Sequence, residues 1–142
     1  WRKSLPLGSV RLTERFVAHD PAAAEEVAAV SREATDLLAE VPIDGSPPPL
    51  VIGIAGTVTT LAAMAQDLAD YDPARVHGFR LSATALDAQI TRLARATVAE
   101  RNQMAGLDPK RADVILAGAV LLRAVLARTG AAELLVSDRG IR

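Results

Sequence analysis

The chain has 142 residues, half of them hydrophobic but only 3% aromatic, and sixteen basic against seventeen acidic side chains leave a formal charge of -1. Length and composition indicate one domain with a core of Ala, Val, Leu and Ile, which suits helices packed on a sheet. The balanced charge excludes a global field that would draw the chain onto nucleic acid or an anionic membrane, and the absence of cysteine excludes disulfides and thiolate metal sites.

The segment Leu5 to Phe16, LPLGSVRLTERF, is β-branched and apolar with interruptions at Pro6 and Gly8, which predicts a strand entered through a turn or bulge. Asp20-Pro21 predicts a helix start. From there to about Val41 the residues Val27, Val30, Ala34, Leu37, Leu38 and Val41 recur at helical spacing and make one apolar stripe. Pro42 to Pro49 is too rich in Pro and Gly for regular structure and predicts an exposed connection. Leu50 to Ile54, LVIGI, lacks polar alternation and predicts a central, parallel strand covered on both faces.

The turn Ala55-Gly56-Thr57 follows, then a helix from Val58 to Leu68 with Leu61, Met64, Ala65 and Leu68 on its apolar positions. Tyr71-Asp72-Pro73 breaks that helix, and Ser82 caps another whose face is Leu86, Ile90, Leu93 and Val98, with Arg92, Arg95, Glu100 and Arg101 on its surface. Gly106 marks a stop, and Asp108-Pro109 starts a mostly buried helix from about Lys110 to Arg128, ended by Gly130. Glu133 to Ser137, ELLVS, predicts the last short strand, followed by Asp138-Arg139-Gly140.

Both short strands end in small polar turns, and in open α/β sheets such ends line a ligand cleft. Gly56 lets a ligand approach the backbone, and the free amides of the next helix suit phosphate oxygens, with Thr57, Thr59 and Thr60 as hydroxyl donors. On pattern alone Thr57 serves equally as a helix cap, and Ser137 and Asp138 serve more readily as a turn-forming pair. Arg11 and Arg15 read as a solvated strand face, and Arg111 more readily as a surface or domain contact than as a phosphate ligand. His19 and His77 have no partner at metal-ligand spacing and read as loop residues.

Five blocks in order, GSVRLTERF (Gly8 to Phe16), GIAGTVTTLAA (Gly53 to Ala63), YDPARVHG (Tyr71 to Gly78), GLDPKRADVILAGAVLL (Gly106 to Leu122) and LLVSDRGIR (Leu134 to Arg142), resemble the C-terminal part of the Ppx/GppA phosphatase family. The resemblance runs from about Ser4 to Arg142, and is weakest after Asp20 and in the proline-rich connection. It implies a single domain, 1–142, with the fold of a truncated ribonuclease H-like second domain of the actin-like ATPases, a mixed sheet flanked by helices.

It also implies a parent that removes terminal phosphate from polyphosphate or guanosine pentaphosphate with Mg²⁺ in the cytoplasm. The catalytic carboxylate, first phosphate loop and opening strands would lie in an N-terminal part outside this sequence. Carried over by position, Gly56, Thr57, Ser137, Asp138, Gly140 and Arg142 are the phosphate-binding candidates. The metal ligands are open, no catalytic residue is expected in this segment, and the isolated chain is expected to be inactive.

Pro6 departs from the acidic residue expected before Gly8-Ser9 and puts standard strand geometry there in doubt. The alternative reading is a non-catalytic nucleotide- or polyphosphate-binding module, or an oligomerisation module that pairs through its sheet edge as a homodimer. A sugar- or acetate-kinase-like member of the same architecture is a further reading, which the five blocks disfavour. No nucleic-acid or membrane partner is expected, since no apolar run approaches the roughly 20 residues that span a bilayer.

Overall fold

The computed structural model describes residues 1–44, 46 and 50–140. Its helices are α1 (Ser9–Phe16), α2 (Ala24–Leu38), α3 (Gly56–Ala65), α4 (Pro73–Val76), α5 (Ala83–Arg95), α6 (Val98–Arg101) and α7 (Ile115–Thr129), and its strands are β1 (Ile52–Ile54), β2 (Arg80–Ser82) and β3 (Glu133–Ser137). The strands form one sheet in the order β1-β3-β2, with β1 parallel and β2 antiparallel to β3. This is the mixed, helix-flanked α/β arrangement that the family resemblance implies.

Alternation along β3 sends Leu134 and Val136, each 1% exposed, into the core beside Leu81 of β2. Helix α3 packs on that face, and Val58 lies so close to Gly53 that a Cβ there would stand 2.9 Å from Val58 Cγ1. β1 is parallel, as expected, but it is the edge and β3 is the centre. Two-sided burial of β1 is also overturned, because Ile52 and Ile54 alternate onto the opposite face, where they are 56% and 38% exposed. A run without polar residues is compatible with two covered faces, but it does not supply the second cover.

The predicted strand at Leu5 to Phe16 is instead α1, entered from Gly8. Burial explains the difference: Leu12 is 1% exposed and Phe16, four residues on, packs against the same core, which is a helical spacing. Thr13, whose β-branch favoured a strand reading, turns its hydroxyl back to donate to Ser9 O at 2.6 Å. Arg15 is a surface residue as expected, paired with Glu33 at 2.9 Å and lying over the Phe16 ring.

The Asp20-Pro21 start is also corrected, since α2 begins at Ala24. Glu26 gathers the loop before it by accepting from the amides of Ala18, Ala23 and His19. Those bonds, led by Ala18 and Ala23, hold its pKa down to about 2 against the cost of burial. Asp20 serves another element, accepting from Val98 N at 3.0 Å at the start of α6.

Ser82 caps α5 as predicted, through Ala85 N. That helix stops at Arg95, and Thr97 and Glu100 form a reciprocal cap that opens α6. Arg101, expected on the surface, is 3% exposed. Asp108-Pro109 opens a 3₁₀ turn, Pro109–Arg111, and α7 proper starts only at Ile115. Of the proline-rich connection, Gly45 and Pro47 to Pro49 lie outside the described residues.

Candidate functional site

The ends of β1 and β3 lie side by side, because parallel pairing sets Ile54 opposite Ser137. The chain leaves β1 through Ala55 at φ 78° and ψ 177°, a positive-φ, extended conformation uncommon for a residue with a side chain. α3 starts at the next residue without a side-chain cap. Thr59 N is the first amide taken up within the helix, by Ala55 O at 3.2 Å. The amides of Gly56, Thr57 and Val58 are therefore free of helical partners, with the positive end of the helix dipole behind them.

Gly56 is needed here for proximity. A Cβ on it would stand 1.9 Å from Nη2 of Arg111, so the guanidinium lies directly against the glycine. Among the described residues Arg111 has only a loose ion pair with Asp108, at 3.9 Å, and its side chain is 38% exposed. A cation at the amino end of a helix is electrostatically unfavourable by itself, and an anion between the two would relieve both. Thr57 turns its side chain toward α7, where a Cβ on Gly118 would meet Thr57 Cγ2 at 2.4 Å. It thus offers the rim its amide, while the Thr59 hydroxyl bonds back to Ala55 O and Gly56 O at 3.3 and 3.2 Å.

A cleft of about 780 Å³ opens from this point, between α3, Tyr71 and the segment from Asn102 to Arg111. Gly106 brings that segment onto α3. At φ 83° it has no room for a Cβ, which would lie 2.6 Å from the backbone of Ala63 and Met64. The segment therefore runs along α3 from its carboxyl end, at Gly106, to its amino end, at Arg111.

The β3 tip is more closed. Ser137 Oγ donates to Arg139 O at 3.2 Å and accepts from Arg139 N at 3.3 Å. The Asp138 amide donates to His77 Nδ1 at 3.2 Å, and its carboxylate accepts from the Tyr71 hydroxyl. Burial, then the bond to Asp138, pushes the Tyr71 pKa up to about 12. Gly140 is exposed with open space around it, and Arg142 lies outside the described residues.

The turns at Gly56-Thr57 and Ser137-Asp138 thus leave neighbouring strand ends, and of these residues Gly56 lines the cleft. Tyr71, Asp108 and the close approach of Arg111 were not visible in the pattern. The signal was present in Gly106 and Asp108-Pro109, but it read as helix punctuation and not as a segment folded back over α3. Among the described residues no group of three or more His, Cys, Asp or Glu could hold a metal ion, and no helix is long and apolar enough to cross a membrane.

Comparison with known proteins bears on the family and the fold. The model of the Ppx/GppA phosphatase family matches residues 2–142. Exopolyphosphatase 2 of Mycobacterium tuberculosis is 37% identical over 145 residues, covering 97% of this chain and 45% of the relative. The crystal structure of the Aquifex aeolicus Ppx/GppA phosphatase superposes with a TM-score of 0.89 at 34% identity, over 96% of this chain and 45% of that one. An exopolyphosphatase from Cytophaga hutchinsonii superposes with a TM-score of 0.80 at 27% identity, over 97% and 46%. The chain spans a little under half the length of these relatives.

Proposed function

This chain belongs to the Ppx/GppA phosphatase family, and from that premise we propose that it forms one wall of a cleft in a cytoplasmic hydrolase that removes terminal phosphate from polyphosphate or guanosine pentaphosphate. The observation that carries the reading is the meeting of Arg111 with the amides of α3 at Gly56, unpaired among the described residues, beside the end of β3. A terminal phosphoryl group is dianionic, and its transfer needs that charge held and spread while water attacks in line.

In this reading the amides of Gly56, Thr57 and Val58 and the guanidinium of Arg111 grip the phosphoryl oxygens from one side. The amides are fixed dipoles that need little rearrangement as charge develops. The Ser137 to Gly140 turn shapes the neighbouring edge, with Asp138 held out of the way by Tyr71 and His77. The Mg²⁺ that the family resemblance implies does not fit a site built from this wall alone, since the carboxylates at the rim are Asp108 and the already engaged Asp138. In this reading the base that activates water comes from the opposite wall.

The test is phosphate release, measured for the full-length protein and for this chain alone, with polyphosphate and with guanosine pentaphosphate. Release by the full-length protein and none by the isolated chain is expected. Turnover by the isolated chain would overturn the division of labour, and no release from either substrate by the full-length protein would overturn the hydrolase reading. A second reading, an interaction module, is favoured by the exposed Ile52 and Ile54 on edge strand β1. A monomer by light scattering counts against it.

A further inference from the structure

The least expected side chain is Arg101, which ends the short helix α6 and is 3% exposed. Among the described residues it makes no ion pair. Its partners are two backbone carbonyls: Nε and Nη2 donate to Leu93 O at 3.1 and 2.9 Å, and Nη1 donates to Ala112 O at 3.0 Å. Burial lowers its pKa, and the nearby charges of Asp20 and Asp113 oppose that shift. Burying a cation without a bonded carboxylate is costly. The arrangement therefore invites the question of what those bonds hold in place.

Leu93 lies in the last turn of α5, where its carbonyl also accepts from the cap amide of Ala96 at 3.3 Å and the dipole is negative, so a guanidinium is well placed there. Ala112 directly follows Arg111. The planar fork of Arg101 thus ties the carboxyl end of α5 to the residue next to the one whose guanidinium rests on Gly56. The segment between Arg101 and Ala112 is also seated on α3 at Gly106 and sends Leu107 into the core. Without the Arg101 bonds, the 3₁₀ turn Pro109–Arg111 would be held by apolar packing at Leu107 and Ala112 and by Gly106, with no polar tie to the end of α5.

We propose that Arg101 is a positioning residue of the anion site, holding the Ala112 carbonyl so that Arg111 stays over the amino end of α3. This rests on the reading of Arg111 and Gly56 as a phosphoryl site, and it adds the residue through which that site is kept in register. The fork is required in this role: a lysine would keep the charge but offer a compact ammonium in place of a planar, two-armed donor.

The experiment is steady-state phosphate release from polyphosphate by the full-length protein, for R101K, R101Q, R111Q and the double variants R101K/R111Q and R101Q/R111Q. Melting curves and amide exchange accompany each. R111Q should raise KM by about 10-fold or more, the loss of a charge-assisted contact. R101K and R101Q should raise KM by about 3- to 10-fold with kcat within about 2-fold, and speed exchange selectively between residues 108 and 114.

The double variants should bind no worse than R111Q, since Arg101 acts through Arg111. Additive losses, a uniform rise in exchange, an unchanged KM in R101K and R101Q, or a failure of both to fold would overturn the proposal and leave Arg101 a residue of general stability. An unchanged KM in R111Q would instead overturn the phosphoryl-site reading itself.

Discussion

Two arginines ten positions apart meet helix ends of opposite sign. Arg101 is buried against the carboxyl end of α5, where its charge suits the dipole and its donors reach Leu93 O and Ala112 O. Arg111 lies partly exposed on the amino end of α3, where its charge opposes the dipole and its ion-pair partner is 3.9 Å away. The first region is complete in itself, and the second is arranged so that an anion improves it. Internal satisfaction marks a residue of the scaffold, and a standing electrostatic conflict at a cleft marks a candidate ligand site.

The comparison breaks most directly on stability. Arg101→Met should destabilise the protein by about 2–4 kcal/mol, because buried carbonyls lose charge-assisted donors that solvent cannot replace. Arg111→Met should be neutral or stabilising by up to about 1 kcal/mol without ligand, since it removes a cation from a positive helix end. Urea denaturation of the two variants in phosphate-free buffer measures both. Equal losses would show that the two ends are alike.

Next in size is Gly56→Ala. The methyl would enter the space of the Arg111 guanidinium, 1.9 Å from Nη2, and that flexible end can swing into solvent, so the fold should persist. Affinity for inorganic tripolyphosphate should fall by about 10-fold or more, as one charge-assisted contact is lost. Calorimetric titration decides it; unchanged affinity would mean that the guanidinium is not where the anion binds.

The sequence made the second of these regions half legible. A glycine turn between an apolar strand and a helix announces free amides, and the parallel pairing of LVIGI with ELLVS follows from two short apolar runs linked through helices. Nothing in that pattern says that Arg111 reaches Gly56, because the contact depends on Gly106 pressing the segment onto Ala63 and Met64. Arg101 was misread for a related reason. Arginine usually lies on a surface, and only the break of α5 at Arg95 and the new cap at Thr97 turn this one inward. The strand β2 was missed because three residues, Arg80 to Ser82, carry too little alternation to register, and α1 was misread because Val10 and Thr13 look β-branched while Leu12 and Phe16 decide the packing.

The tip of β3 sharpens the comparison at a smaller scale, since it is a rim element whose polar groups are already used. Tyr71→Phe should cost about 0.5–1.5 kcal/mol, the net worth of one hydrogen bond, and leave tripolyphosphate affinity within about 2-fold. The folded-state pKa of Tyr71 is raised from 10 to about 12, so its contribution is complete below pH 10 and is lost as pH rises toward 12. Denaturant midpoints of the two proteins should accordingly converge across that window, and parallel curves would exclude the bond to Asp138 as the source. Gly140→Ala should have the smallest effect of all, because nothing lies within 4 Å of the added methyl. If it weakens tripolyphosphate binding as much as Gly56→Ala, the phosphoryl group is held at the tip of β3 and the conflict at α3 has another cause.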